Sequence, residues 1–208
     1  MIGIIDYLAG NLTSVARALN YLGYSCFISS KPEELKKAEK IIFPGVGAAR
    51  SAMESLKKFG LDEFIKEIFK KGIPILGICL GTQIIFEESE EDGGTKTLNL
   101  LKGKVKRFPD PFIYKNERLK VPHMGWNKIN WVKKHLVFSK LDPDFEYYFV
   151  HSYYVVPENQ ELICGITFYG VDFVSAIAYE NLIAVQFHPE KSGKPGLQIL
   201  RQFCDWKL

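Results

Sequence analysis

Cysteine is scarce in this chain: four in 208 residues, at Cys26, Cys79, Cys164 and Cys204, with no Cys-x-x-Cys pair and no zinc-ligand spacing. That excludes a disulfide scaffold and a cysteine-built metal centre, so the residues point to a reducing, cytoplasmic setting. An excess of one charge is also missing. Lys and Arg number 27 against 24 Asp and Glu, and the net +3 is spread along the sequence, so no basic block marks a nucleic-acid partner. No apolar run approaches the roughly 20 residues that cross a bilayer, and Met1 leads straight into strand-like sequence rather than a leader, so no membrane partner is expected. Internal repeats and low-complexity linkers are absent too, which reads as one domain over residues 1–208. With 47% hydrophobic and 25% charged residues, a chain of this length buries a sizeable core.

What is present alternates between strand and helix in the first half. Met1 to Asp6 is apolar enough for a central strand, and Asn11 stands where a cap would start a helix facing inward through Leu12, Val15, Ala16 and Leu19. Tyr24 to Ile28 and Lys40 to Phe43 are further strand candidates. Leu61, Phe64, Ile65, Ile68 and Phe69 follow helical spacing up to the Gly72 stop. This βαβ pattern predicts an α/β fold: an open, mostly parallel central sheet flanked by helices. After an acidic loop from Glu87 to Thr95 come further strand candidates at 105–108, 128–132, 147–150, 163–168, 174–179 and 183–187, and antiparallel strands added to the sheet are expected in this half. A helix from Pro195 to Trp206 closes the chain.

The chemistry concentrates at three predicted strand ends, where open α/β sheets collect their ligands. Ile73 to Ile78 runs into Cys79-Leu80-Gly81, with Gly77 before it and a helix predicted from Leu80 to Glu87. Glycines around a lone Cys at a strand-to-helix turn form a nucleophile elbow, and free N–H groups at a helix start favour a thiolate and can hold an oxyanion. Phe187 runs into His188-Pro189-Glu190, so that the carboxylate can orient the imidazole as in a Cys-His-Glu triad. Phe43 runs into Pro44-Gly45-Val46-Gly47, a turn whose peptides can rotate an N–H toward a developing oxyanion. It does not meet Gly-x-Gly-x-x-Gly, so no dinucleotide cofactor is expected. His123, His135 and His151 read as packing or hydrogen-bonding residues rather than metal ligands, and the other three cysteines read as core.

Together these segments resemble the class I (triad-type) glutamine amidotransferases, and within that class the glutaminase subunits of imidazole glycerol phosphate synthases. GICLGTQ at 77–83 and QFHPEKSG at 186–193 carry the class resemblance. PGVGAA at 44–49, FEESEE at 86–91, KVPHMGWN at 120–127 and FVHSYY at 149–154 carry the subfamily one. Thr82, where Met is frequent, and Asp92, ahead of a Gly pair, are departures. The resemblance implies hydrolysis of glutamine through a Cys79 thioester, with His188 and Glu190 completing the triad. Leu80 and the Gly45-Val46-Gly47 turn would supply the oxyanion donors. Gln83 and Glu91 would hold the α-carboxylate and α-amino group, aided by backbone around Ser152 and Tyr153. It implies no cofactor and no metal. It further implies a partner, a cyclase subunit with a (β/α)8 barrel that forms a heterodimer and receives the ammonia, contacted or gated through Asn11, Trp126, Tyr148 and Lys191. The same chemistry would also serve another ammonia acceptor, such as a sugar-amidating enzyme.

Overall fold

In a computed structural model that describes residues 1–208, the first half runs β1 (Ile2–Ile5), α1 (Leu12–Tyr21), β2 (Cys26–Ser29), α2 (Pro32–Leu35) and β3 (Lys40–Gly45). It continues through α3 (Ala49–Lys58), α4 (Leu61–Lys70), β4 (Ile75–Cys79) and α5 (Leu80–Gln83). The second half is strand-rich: β5 (Glu88–Ser89), β6 (Thr95–Lys96), β7 (Gly103–Arg107), β8 (Ile113–Tyr114), β9 (Glu117–Arg118) and β10 (His123–Lys128). Then follow β11 (Asn130–Trp131), β12 (Glu146–His151), β13 (Tyr153–Pro157), β14 (Ile163–Tyr169), β15 (Val171–Tyr179), β16 (Leu182–Val185) and α6 (Gly193–Asp205).

The main sheet has the order β2-β1-β3-β4-β16-β15-β13-β7-β5-β6, and β2, β1, β3, β4 and β16 are mutually parallel. From β15 onward the pairing is largely antiparallel, so the parallel core with added antiparallel strands matches the sequence reading. Strand alternation divides the apolar residues between two faces. Ile5, Ile41, Phe43 and Ile75 pack with α3 and α4, whereas Ile4, Ile42, Leu76, Ile78 and Val185 pack with α1 and α6. β3, β4 and β16 lie side by side and end together, which brings the three chemically marked segments to one rim.

Four local expectations are corrected. The helix after Cys79 stops at Gln83, because Ile84, Ile85 and Phe86 are all fully buried as the chain turns under the sheet toward β5. A single turn carries little macrodipole, so α5 contributes its free N–H groups rather than a field. Asn11 does precede α1, but at φ 64° its side chain makes no cap and turns away. The candidate over 128–132 divides into the end of β10 and β11, which belong to different sheets. Cys164 is core as expected, but Cys26 and Cys204 are only partly buried. Helix α3 has no counterpart in the sequence reading, although Ala49, Ala52, Met53 and Leu56 line its buried face.

Candidate active site

Cys79 ends β4 at φ 54° and ψ −107°, a conformation L-residues rarely adopt. The chain can turn this tightly because Gly81 passes under β3: a Cβ there would stand 1.9 Å from the Phe43 carbonyl oxygen. Thr82 ties the turn to β16 through its hydroxyl, which donates to the Val185 carbonyl at 2.6 Å. Cys79 is nearly buried, 6% exposed, but lines a cleft of about 390 Å³. Val46, Gly47, Leu80, Gln83, Glu91, Pro122, Val150, His151, Ser152 and Tyr153 form the rest of the cleft wall. A larger depression over Trp131 to Leu141 contains neither a cysteine nor a carboxylate.

His188 and Glu190 follow β16, next to β4. His188 Nδ1 donates to Glu190 Oε1 at 2.9 Å, both side chains are almost wholly buried, and Asn11 Nδ2 donates to the same oxygen at 2.5 Å. Burial pulls the His188 pKa down, but the neighbouring Cys79 and Glu190 outweigh it and raise the pKa to about 10. The surroundings thus favour the charged form of the imidazole. Its Nε2 makes no hydrogen bond here, because the Cys79 thiol points to the Val150 carbonyl instead, at 3.9 Å. Ser192, which sequence reasoning missed, clips the segment in place: its hydroxyl donates to the His188 carbonyl at 2.6 Å and accepts from the Tyr148 N–H at 2.9 Å.

The Gly45-Val46-Gly47 turn lies against Cys79, with Gly45 paired to it across β3 and β4. Gly45 is required, since a Cβ would lie 1.8 Å from the Tyr7 hydroxyl. The Val46 N–H, however, donates to the Ala9 carbonyl at 2.9 Å, so this donor is committed away from the cleft. The Leu80 N–H belongs to the first turn of α5, where no intrahelical acceptor exists.

Glu91 lies at the other end of the cleft. One of its oxygens accepts from the Ala49 N–H at 2.6 Å, and burial raises its pKa in spite of that bond. Gln83 donates from Nε2 to the Tyr153 carbonyl at 3.0 Å and to Gln186 Oε1 at 3.2 Å. Both of its N–H groups are thus engaged within the protein. Trp126 is 53% exposed and meets Tyr148 edge-on at 5.9 Å, while Lys191 Nζ lies 5.8 Å above the Tyr148 ring. With Asn11 they form a cluster beside His188 and Glu190. No group of three or more His, Cys, Asp and Glu side chains is arranged to hold a metal ion, and no helix is long and apolar enough to cross a membrane.

The family model for glutamine amidotransferase class-I matches residues 3–206. The chain belongs to the class-I glutamine amidotransferase family. Among its curated relatives is the imidazole glycerol phosphate synthase subunit HisH of Dehalococcoides mccartyi strain CBDB1, 46% identical over 208 residues, covering 100% of this chain and 98% of the relative. HisH of Maridesulfovibrio salexigens is 48% identical over 207 residues, covering 99% and 97% respectively. Solved structures share the fold at lower identity. A glutamine amidotransferase superposes with a TM-score of 0.75 at 17% identity over 98% of each chain. PurLQS from Thermotoga maritima gives 0.72 at 17% identity over 98% of this chain and 97% of that one.

Proposed function

We propose that this chain is the glutamine-hydrolysing subunit of an imidazole glycerol phosphate synthase, releasing ammonia for a separate cyclase subunit. The observation that carries the reading is the buried His188–Glu190 pair at 2.9 Å, next in the sheet to Cys79 at the cleft, where Cys79 and Glu190 together raise the His188 pKa. The Cys79 thiolate adds to the side-chain amide carbon of glutamine, and the amide oxygen takes up the negative charge. His188 Nε2–H gives its proton to the nitrogen as the C–N bond breaks, so ammonia leaves and a thioester remains. Neutral His188 then takes a proton from water as the water oxygen attacks the thioester, which frees glutamate and restores the thiolate–imidazolium pair.

The Leu80 N–H serves as one oxyanion donor. The second is the Val46 N–H, and its bond to the Ala9 carbonyl makes the chain alone a slow enzyme. Losing one such donor typically costs on the order of 10²–10³ in kcat. Rotating the Gly45–Val46 peptide would restore it, and the partner subunit is the agent of that rotation, a barrel docked over Asn11, Trp126, Tyr148 and Lys191. Glu91 suits the α-ammonium of glutamine. For Gln83 to take the α-carboxylate it must release one of its two internal bonds, so backbone N–H groups near Ser152 and Tyr153 are the first ligands of that group.

The test is reconstitution with a candidate cyclase. Glutaminase activity of the chain alone is expected to be low and to rise at least a hundredfold with the cyclase and its ligand. Cys79→Ala abolishes glutamine-dependent synthesis and leaves ammonia-dependent synthesis intact. Loss of both activities would mean that Cys79 is structural, and full activity without a partner would overturn the switched-donor reading.

A further inference from the structure

The sulfur of Cys79 has a neighbour that the triad does not use. Gln186 is fully buried, and its Nε2 lies 3.8 Å from Cys79 Sγ, within the reach of a hydrogen bond to sulfur. A buried amide costs free energy that an apolar residue of the same size would not, so its hydrogen bonds must be specified. They are specified by a chain of donors that can run only one way. The Tyr153 carbonyl can only accept, so Gln83 must present N–H to it, and the second Gln83 N–H then meets Gln186 Oε1. With its oxygen committed to Gln83, Gln186 can offer only N–H to the sulfur. Turning the Gln186 amide over would set two donors face to face.

The Tyr153 carbonyl is itself held from the far side. His151 Nδ1 donates to it at 2.8 Å, so the neutral ring accepts at Nε2, where His123 Nδ1 donates at 3.1 Å. His123 Nε2 is then left as an acceptor facing Asn127 Nδ2 at 3.4 Å. Burial keeps both rings neutral, pulling His123 down to about 4 and His151 to about 3. Each ring therefore has one permitted tautomer. The titratable groups whose charge is coupled to the sulfur are His188 and Tyr7.

We infer that Gln186 donates a hydrogen bond to the Cys79 sulfur as charge builds on it, and that the His123 and His151 pair acts as a positioning element that holds in place the Tyr153 carbonyl on which this amide chain is anchored. The inference rests on Cys79 being the nucleophile. It gives the sulfur two donors of different kinds: the His188 imidazole, which gives its proton to the departing ammonia, and a neutral amide that keeps its own.

The experiment is alkylation of the full chain by iodoacetamide between pH 5 and 10, with adducts at each cysteine quantified by mass spectrometry. In the parent protein Cys79 is expected to react faster than Cys26, Cys164 and Cys204. Gln186→Met, which removes the N–H at nearly constant volume, should slow Cys79 about tenfold at pH 7 and recover toward the parent rate at alkaline pH, where any accessible thiol ionises. His123→Phe should slow it by a smaller factor, about threefold, with the same recovery. A purely packing role would lower the melting temperature and leave the shape of the rate–pH curve unchanged. An unchanged curve in a folded Gln186→Met protein overturns the inference while leaving the nucleophile assignment standing. Absence of any preference for Cys79 in the parent protein overturns the nucleophile assignment, and the inference with it. Imidazole ¹⁵N spectra of the parent chain give a measurement independent of any variant. Both His123 and His151 should be neutral Nδ1–H tautomers, and an Nε2–H tautomer at either breaks the one-way chain.

Discussion

Replacing Cys79 by glycine should make the protein more stable than replacing it by alanine, the reverse of the order at most sites. At φ 54° and ψ −107° a residue with a Cβ is held in a sparsely populated conformation, which costs roughly 1–3 kcal/mol. Glycine adopts it freely, but loses about 0.5–1 kcal/mol through the greater entropy of its unfolded chain. The difference favours glycine by about 1 kcal/mol, or about 2–4 °C in melting temperature for a chain of this size. Both variants lack the sulfur and leave His188 equally without it, so the comparison isolates the backbone. Scanning calorimetry of the two purified variants under one buffer, joined by urea titration, is the appropriate assay. If Cys79→Ala melts above Cys79→Gly by the customary margin, the elbow is not strained and the account of how the nucleophile is presented fails.

The raised His188 pKa makes a pH-dependent contribution to stability. Its folded value of about 10 stands above the ordinary 6.5, so the stabilisation is fully present below pH 6.5 and disappears as pH rises through 10. The stability advantage of the parent protein over Glu190→Gln should shrink across that window, and the His188 resonance of the variant should titrate lower than that of the parent; an advantage that grows with pH would contradict the ion pair. Gly81→Ala should cost about 3 kcal/mol in denaturant unfolding, since its Cβ meets the Phe43 backbone. Gly93→Ala, with φ 76° and no atom within 4 Å, should cost only about 1 kcal/mol. Equal losses at the two sites would mean that the helix start does not pass under β3 as described.

Much of the site was legible because its residues are local in sequence. Cys79 between glycines, and His188 two residues from Glu190, announce their chemistry through spacing alone, and the hydrophobic alternation of β1, β3 and β4 announces a buried sheet. The four-residue length of α5 was not legible, because Ile84 to Phe86 are as apolar as a continuing helix would need and only their destination under the sheet stops it. Asn11 reads as a cap by residue type, yet its amide binds Glu190, 179 positions away. Gln83 reads as a substrate ligand by its place in the motif, and only the structure adds that its two donors reach Tyr153 and Gln186.

Composition, periodicity and motif determined that this chain builds an α/β sheet and carries a cysteine, a histidine and a glutamate suited to opening an amide, since each of those signals depends on residues a few positions apart. The tertiary structure alone decided which side chains face the sulfur, which peptide N–H is turned from the cleft, and which way the buried amides and imidazoles point. Those are relations between strands far apart in the chain, fixed by the requirement that every buried donor find an acceptor, and no local pattern encodes them.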